Sequence, residues 1–546
     1  MTRKSVALVQ PTSGNKIPNH RPPTGIQSIA AQLKAQGREV LVVHDTIERI
    51  IEKLERFMPW HLGISSMSNT HPEAEKIARW MDESDSNVSV TYGGWHASGC
   101  AHSYDEFQRT SGQRGETETL KEILYPDSPI WYIIRGEGEI VYPQLLDLID
   151  NGASIKKRAE LPGIGLVDNN GNIVLNRPER ITDLDALALP SWNGIRASRY
   201  LGGKTLSVHA QRNCRFMCGY CATPTLLRDA TAHGNKITRM SPEKVVEYIE
   251  QLKEQFNIRR ITFTDEDFFS DRKYVREIVG KIKKRKTLNG VTYLVHVNVV
   301  DTHRMRKEGS DLLQKFQEVG LVGISMGVET LVGKTIRAMN KEGIVVSMMN
   351  NEERTAYHVA KKRNETKVAD QILVSSYARN IEESVAFAHE NRVSCHCNCM
   401  VGTYGETREE SAEGFRRFSN IGNLVGCYVP IFTPFPGTKV WSEVYKSGKL
   451  KRTLVGGIDW KLFDAEHGTI DIGYNPRELQ RESKLAFYVS ERYSKDMREG
   501  LERNPWLIDD FLSDISVQMI EYRGNKEIEK IYSELCDVKA KMSEQT

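Results

Sequence analysis

Long hydrophobic runs are missing from this chain. No stretch approaches the roughly 18 consecutive apolar residues that a membrane-spanning helix needs. The opening Met1-Thr2-Arg3-Lys4 leads into only a brief apolar run before Pro11, which reads as too short for a secretory signal. A surplus of charge is also missing. With 75 basic and 72 acidic residues and a formal net charge of +3, the bulk electrostatics calls for neither nucleic acid nor an anionic membrane surface. A disulfide framework is missing as well, because the nine cysteines are an odd number and most fall in two short stretches. These absences predict a cytoplasmic protein in a reducing compartment, with no nucleic-acid and no membrane partner. At 546 residues the chain is long enough for three or four domains, each with its own core.

What the chain does have is the run Cys214-Arg215-Phe216-Met217-Cys218-Gly219-Tyr220-Cys221. Its C-x3-C-x2-C spacing puts three thiolates on one short loop. Three thiolates hold three irons of a 4Fe-4S cube and leave the fourth open for a small molecule, whereas four would close it. The competing reading is a structural zinc site with His209 as fourth ligand. No second C-x2-C pair follows to complete such a site.

The first 150 residues alternate short apolar runs with amphipathic stretches. Ser5 to Val9, Val40 to Val43, Leu62 to Ser65, Val88 to Tyr92 and Tyr132 to Ile134 read as strands, and Gly25 to Gln36 as a helix stopped by Gly37. This pattern predicts a doubly wound α/β parallel sheet, which binds ligands outside the carboxyl ends of its strands. The distinctive loops fall there. They are Arg21-Pro22-Pro23-Thr24-Gly25, Ser65-Ser66-Met67-Ser68-Asn69, Gly93-Gly94-Trp95-His96 and Arg135-Gly136-Glu137-Gly138-Glu139. The expected boundaries are 1–155 for this domain and 156–203 for a connector, whose Asn169-Asn170-Gly171-Asn172 reads as a hairpin turn.

From 204 to 438 six strand-like runs follow: Leu206 to Ala210, Arg260 to Thr264, Tyr293 to Val299, Gly323 to Val328, Ser394 to Val401 and Gly426 to Phe432. Helical patterns such as Pro242 to Phe256 separate most of them, which predicts a partial (β/α)6 barrel with its chemistry at the strands' carboxyl ends. The cysteine loop directly follows the first of these strands. Cys395, Cys397 and Cys399 alternate along the fifth and share one face. Core packing is the plain reading of that trio, with an auxiliary iron site, or one cysteine reaching the active centre, as the alternative. Met349 to Asp370 reads as an insertion or mobile surface helix, and 439–546 as a helical carboxyl-terminal domain.

Taken in order, "RPPTG", "GISSMSNT", "GGWHAS", "IIRGEGE", the cysteine loop, "GTYGET" and "TPFPGT" resemble the cobalamin-binding-domain family of radical S-adenosylmethionine (SAM) enzymes, the class B methyltransferases. The resemblance implies a Rossmann-like cobalamin-binding domain ahead of the partial barrel, and three cofactors: a 4Fe-4S cluster on Cys214, Cys218 and Cys221, SAM, and cobalamin. It places SAM against Tyr220, Glu266 (first choice) or Asp265 (second) for its ammonium, and Glu329 of "GVET". It places cobalamin against Pro23, Gly25, Ser65, Met67, Ser68, Asn69, Gly93, Gly94, Gly136 and Glu137. The D-x-H-x-x-G of histidine-ligated cobalamin domains is lacking between Gln10 and Gly25, where His20 is the one histidine. By the resemblance, Met67 to Asn69 then lies beneath the cobalt.

The reaction so implied is methyl transfer to an unactivated carbon, with a ferredoxin or flavodoxin as electron donor and a protein, peptide or small molecule as substrate. No side chain is assigned a catalytic role. Size and layout also resemble the archaeal members that C-methylate a glutamine of methyl-coenzyme M reductase, which makes a glutamine in a protein or peptide one implied acceptor. The alternatives are a cyclase of the same family that never transfers methyl, and a non-catalytic cobalamin carrier, which would need no cysteine loop. A tRNA methylthiotransferase would carry three cluster cysteines in its front domain, where this chain has only Cys100.

Overall fold

Short apolar runs followed by amphipathic helices can satisfy their backbones and bury both faces only by pairing in parallel with helices on either side. The computed structural model shows this arrangement. It describes residues 4–13, 22–192, 205–223, 237–503 and 508–544. The chain divides into two compact units, Met1–Glu266 with Thr433–Asp464, and Asp267–Phe432 with Ala465–Thr546. Each contains parts of more than one of the domains expected from the sequence.

In the first unit, β1 (Val6–Pro11), α1 (Thr24–Ala35), β2 (Val40–Asp45), α2 (Ile47–Phe57), β3 (His61–Ser65), α3 (His71–Ser84), β4 (Ser89–Gly93), α4 (Gly94–Arg109), α5 (Glu118–Ile123), β5 (Tyr132–Ile134) and α6 (Gly138–Asp150) follow one another. The strands form a sheet of order β2-β1-β3-β4-β5-β6-β7, parallel from β2 to β5. Its last two strands, β6 (Ile164–Val167) and β7 (Ile173–Leu175), are antiparallel. They are the hairpin expected in the connector, here serving as the sheet's edge. Asp168 accepts from the amides of Asn170 and Asn172 to close its turn, and Gly171 takes φ +82°. Separate apolar cores lie on the two faces, one including Ile50, Leu54, Ile77 and Ala101, the other Ile26, Leu33, Tyr142 and Leu145.

The same unit continues through β8 (Thr205–Val208), β9 (Gln211–Arg212), β10 (Thr238–Arg239), the helix Pro242–Phe256 and β11 (Arg260–Phe263). β8 pairs with β11 in parallel and β9 with β10 antiparallel. Residues 433–464 return to this unit. Gly99 lacks the Cβ that would lie 2.5 Å from the Pro436 carbonyl oxygen, so the chain lies flat against α4 there. Trp441 donates from Nε1 to Glu116 at 3.4 Å, and stacks on Trp460 with centroids 5.8 Å apart.

In the second unit β12 (Thr292–Val297), β13 (Leu321–Glu329), β14 (Ser394–Cys399) and β15 (Gly426–Tyr428) pair in parallel in that order. The six strands expected of the barrel are thus present, two in the first unit and four in the second. The segment Met349 to Asp370 is helical and largely exposed, as expected of a surface helix. Asn350 and Glu353 form a capping box at the start of the helix Asn351–Lys362, which buries Tyr357 and Ala360, and the helix Thr366–Glu390 follows. The carboxyl-terminal stretch is helical as expected, with Leu479 to Arg498 split into Pro476–Tyr488 and Glu491–Arg503, followed by Ile508–Glu521 and Lys526–Glu544. No helix among the described residues is long and apolar enough to cross a membrane.

Candidate functional site

The cysteine loop leaves β9 through Asn213, which adopts a left-handed φ of +82° and accepts from the Cys214 amide with its own side chain at 2.8 Å. Asparagine tolerates this conformation better than other non-glycine residues. Cys214, Cys218 and Cys221 are half-buried, and the Cys221 amide donates to the Cys218 carbonyl at 3.2 Å. The far side of the loop is tied down where the Val440 amide donates to the Gly219 carbonyl at 3.1 Å. Among the described residues no three His, Cys, Asp or Glu side chains are grouped to hold a single metal ion. In a cube each thiolate ligates a different corner iron. This donor set, three sulfurs on a loop that is half open, fits a 4Fe-4S cluster.

The acids at the end of β11 separate into distinct roles. Asp265 is fully buried and accepts from the amides of Gln211 at 2.7 Å and Ala210 at 3.3 Å. Burial pushes its carboxyl up to about 7 despite those two bonds. Its oxygens hold the chain between β8 and β9, so the second-choice ammonium partner has a structural task. Glu266 accepts from His209 Nε2 at 3.4 Å. Burial raises its carboxyl, but the imidazole beside it and Arg180 more than offset this and hold it below the ordinary value. His209 is held up in turn, Glu266 outweighing its own desolvation. Glu266 is thus kept anionic, the state needed to pair with an ammonium.

Glu329, the last residue of β13, has φ +70°, a strained conformation for a non-glycine residue. The β13–β14 register shifts between Gly327 and Glu329. Two buried side chains hold this bulge: Lys341 Nζ donates to the carbonyls of Gly327 at 3.1 Å and Val328 at 3.2 Å, and Tyr377 Oη donates to Val328 at 3.2 Å. The same ammonium lies 4.0 Å from Glu329 Oε1. Glycine at 327 leaves the Glu329 carboxylate in its place, since a Cβ there would meet Glu329 Oε1 at 2.5 Å.

The carboxyl edge of the first sheet is interlocked. Gly94, at φ +91°, has no room for a Cβ, which would lie 2.7 Å from Ser66 O and 2.9 Å from Ser65 Oγ. Ser66 donates its amide to Gly93 O at 3.1 Å, and Ser98 Oγ accepts from the Gly136 amide at 3.0 Å. Around this rigid rim the surface is open and apolar. Among the described residues, Gly25 has nothing within 4 Å of a built Cβ, and Gly93 only the Ile134 carbonyl at 3.7 Å. Met67 and Trp95 are exposed, at 39% and 40%. Glycines with room above them and exposed apolar side chains fit a flat ligand as large as a corrin. Pro23 starts the adjoining helix α1 as its N-cap.

Met67, Ser68 and Asn69 rest on a buried aromatic layer. Ser68 Oγ is 3.1 Å from His96 Nδ1, His96 stacks on His71 at 4.3 Å, His71 Nδ1 is 2.9 Å from Tyr92 Oη, and Trp460 packs edge-on against His96 at 4.5 Å. Burial lowers the His71 imidazole to about 4 and His96 well below its ordinary value, so both are neutral supports. His20 lies outside the described residues.

Glu137 places its backbone on this rim but not a free carboxylate. Its oxygens take Arg212 Nη1 at 2.8 Å and the Ile181 amide at 2.9 Å, with Arg180 Nε at 3.2 Å. Tyr220 is half-buried beside the cysteine loop. Cys395, Cys397 and Cys399 are buried, with Cys397 opposite Cys427 of β15. The Cys397 thiol is raised by the neighbouring Cys395 and burial, and that of Cys399 by burial, which leaves them protonated, packed hydrophobes. Arg212, Lys341 and Tyr377 were not among the residues the sequence singled out. Arg212 carried one readable signal, its place two residues before Cys214.

Two family models match the chain: the B12 binding domain over residues 13–124 and the Radical SAM superfamily over residues 208–416. The anaerobic magnesium-protoporphyrin IX monomethyl ester cyclase of Rubrivivax gelatinosus is 26% identical over 61% of this chain. The chain spans 56% of the length of that protein. An uncharacterised methyltransferase of Pyrococcus horikoshii is 21% identical over 88% of this chain and 86% of its own. Among solved structures, the radical SAM methyltransferase TsrM of Kitasatospora setae, with cobalamin and a 4Fe-4S cluster bound, superposes with TM-score 0.58 at 17% identity, covering 88% of this chain and 85% of that one. The cobalamin-dependent SAM radical enzyme OxsB gives 0.59 at 15%, covering 97% and 75%. The two domains imply a 4Fe-4S cluster, SAM and cobalamin as cofactors.

Proposed function

Since this chain belongs to the radical SAM superfamily, in the group with a B12-binding domain in front, we propose that it transfers a methyl group from SAM, through cobalamin, to an unactivated sp3 carbon. The observation that carries this reading is the joint presence of a half-open three-thiol loop and an open, glycine-lined strand edge within one compact unit. When bound, the cluster supplies the electron that cleaves SAM to an adenosyl radical, and the corrin relays the methyl group.

The chain's own residues do the binding and aiming. Cys214, Cys218 and Cys221 hold the cluster and leave one iron for SAM. Glu266, kept ionised by His209 and Arg180, offers a carboxylate to the SAM ammonium. Glu329, at a strand end fixed by Lys341 and Tyr377, is by likeness to the family a contact for the ribose or carboxylate of SAM. Tyr220 borders the adenine with its backbone. On the other side the rim of Pro23, Gly25, Ser65, Gly93, Gly94, Gly136 and the backbone of Glu137 would receive cobalamin, with Met67, Ser68 and Asn69 against it, and none of these three side chains is a strong cobalt ligand.

A glutamine of a protein or peptide is the acceptor we propose, with a ferredoxin or flavodoxin as the reductant. Anaerobic reconstitution with methyl-labelled SAM, followed by mass analysis of candidate peptides and metabolites, tests this. A labelled methyl group on carbon supports the reading, and label on oxygen, nitrogen or sulfur contradicts it. A cyclase without methyl transfer is the second reading, favoured by the likeness to enzymes named as cyclases.

A further inference from the structure

The loop Gly136–Glu139 at the end of β5 and the cysteine loop after β9 are far apart in sequence, yet the side chain of the residue that leads into the second binds the first. Arg212, two residues before Cys214, donates from Nη1 to Glu137 Oε1 at 2.8 Å and from Nη2 to Glu139 Oε1 at 2.7 Å. The three side chains are 14%, 6% and 7% exposed. Glu137 also faces Arg180 at 3.2 Å, whose Nη2 donates to Thr238 of β10 at 3.0 Å, while Arg239 donates to Gln211 at 3.1 Å. The cluster is charge-balanced, two carboxylates against two guanidinium groups. Arg180 is also close enough to Glu266 to help hold that carboxyl ionised.

A buried ion cluster of this kind is a poor source of stability, since apolar side chains of similar volume often serve as well. What it supplies is geometry. A guanidinium has a rigid planar fork, and splitting that fork between two carboxylates fixes both partners in distance and angle. One partner is the N-cap of α6 and the other lies in its first turn.

We propose that Arg212 is a positioning residue that sets the cluster loop in register with the corrin-side rim, so that the two cofactors meet the substrate at a fixed separation. This rests on the placement of cobalamin and cluster given above. Arg212 touches neither reacting atom; it acts through Glu137, Glu139 and the chain leading to Cys214.

The test is electron paramagnetic resonance of the holoprotein with cob(II)alamin and the reduced cluster, because the magnetic interaction of two spins depends steeply on their separation. Two variants are compared with the native chain: Arg212→Lys, which keeps the charge and loses the fork, and the charge-conserving double variant Glu139→Gln/Arg212→Met. The double variant keeps the Glu137–Arg180 pair and leaves no uncompensated buried charge, and so carries the test if Arg212→Lys does not fold. The expected result is a native interaction that changes in the variants while iron and cobalamin per chain remain native. The 5'-deoxyadenosine formed per methyl group transferred should rise about tenfold, in line with the sensitivity of reaction rates to ~1 Å misplacements. A native spin interaction in the folded variants overturns the proposal, even if their melting temperature falls, as does the lack of any interaction in the native holoprotein. The reading of the reaction fails separately, if the native holoprotein binds both cofactors and transfers no methyl group.

Discussion

Replacing Gly327 with alanine should separate binding from stability. A Cβ at this position would lie 2.5 Å from Glu329 Oε1 and 3.6 Å from its Cδ, with nothing else within 4 Å. Ordinary contact begins near 3.4 Å, so the carboxylate must retreat by roughly 1 Å, and it can, being the end of a flexible side chain. The backbone at Gly327 does not have the positive φ that would make alanine strained. Alanine there restricts the unfolded chain and adds about 0.4–1 kcal/mol where no clash follows. Folding stability should therefore hold or rise slightly. On the role proposed for Glu329, losing its charge-assisted hydrogen bond to SAM would cost about 1.5–3 kcal/mol, which weakens SAM about 10- to 100-fold. Equilibrium dialysis of SAM against the reconstituted protein, beside a thermal melt, reads both. A lower melting temperature with native SAM affinity would refute the reasoning.

Replacing Cys214, Cys218 and Cys221 together with alanine should abolish formation of 5'-deoxyadenosine while cobalamin, measured by its visible spectrum, still binds. Replacing Cys395, Cys397 and Cys399 should leave iron per chain unchanged, and a loss of iron would reveal an auxiliary site. Glu122, whose carboxyl burial raises to about 7 from 4.5, is protonated in the folded chain over a range where the unfolded chain has lost that proton. Its contribution to stability is therefore full below pH 4.5 and lost as pH rises to about 7. Glu122→Gln should flatten the fall in melting temperature across that window, and an unaltered slope would contradict the assignment. The cobalt lines of the cob(II) form should lack the triplet splitting of a nitrogen ligand, and triplets that vanish in His20→Ala would show that the histidine binds cobalt.

Much of the architecture was legible in the sequence because its signals are local. Period-two and continuous apolar runs such as Val40 to Val43, and stops such as Gly37, depend on neighbours only. The cysteine spacing is equally local. What escaped notice depends on distant partners. Nothing near Lys341 in sequence tells that it braces the end of β13, and Glu137 reads like Glu266 until Arg180 and Arg212 are seen around it. In the same way the run Asp265-Glu266-Asp267 offered two choices for an ammonium partner, and burial of Asp265 against two amides distinguishes them. The return of residues 433–464 to the first unit is set by aromatic packing on α4 and α5, which has no signature in "TPFPGT" itself.

The central claim is that one chain spends SAM in two ways, as methyl donor and as radical source. Quantifying S-adenosylhomocysteine and 5'-deoxyadenosine together, in anaerobic turnover of the cobalamin-loaded, cluster-reconstituted protein with its acceptor, tests it most directly. The account predicts that both accumulate in equal amounts, in step with methylated product. Accumulation of 5'-deoxyadenosine and product with no S-adenosylhomocysteine would contradict it and identify a cyclase-type reaction.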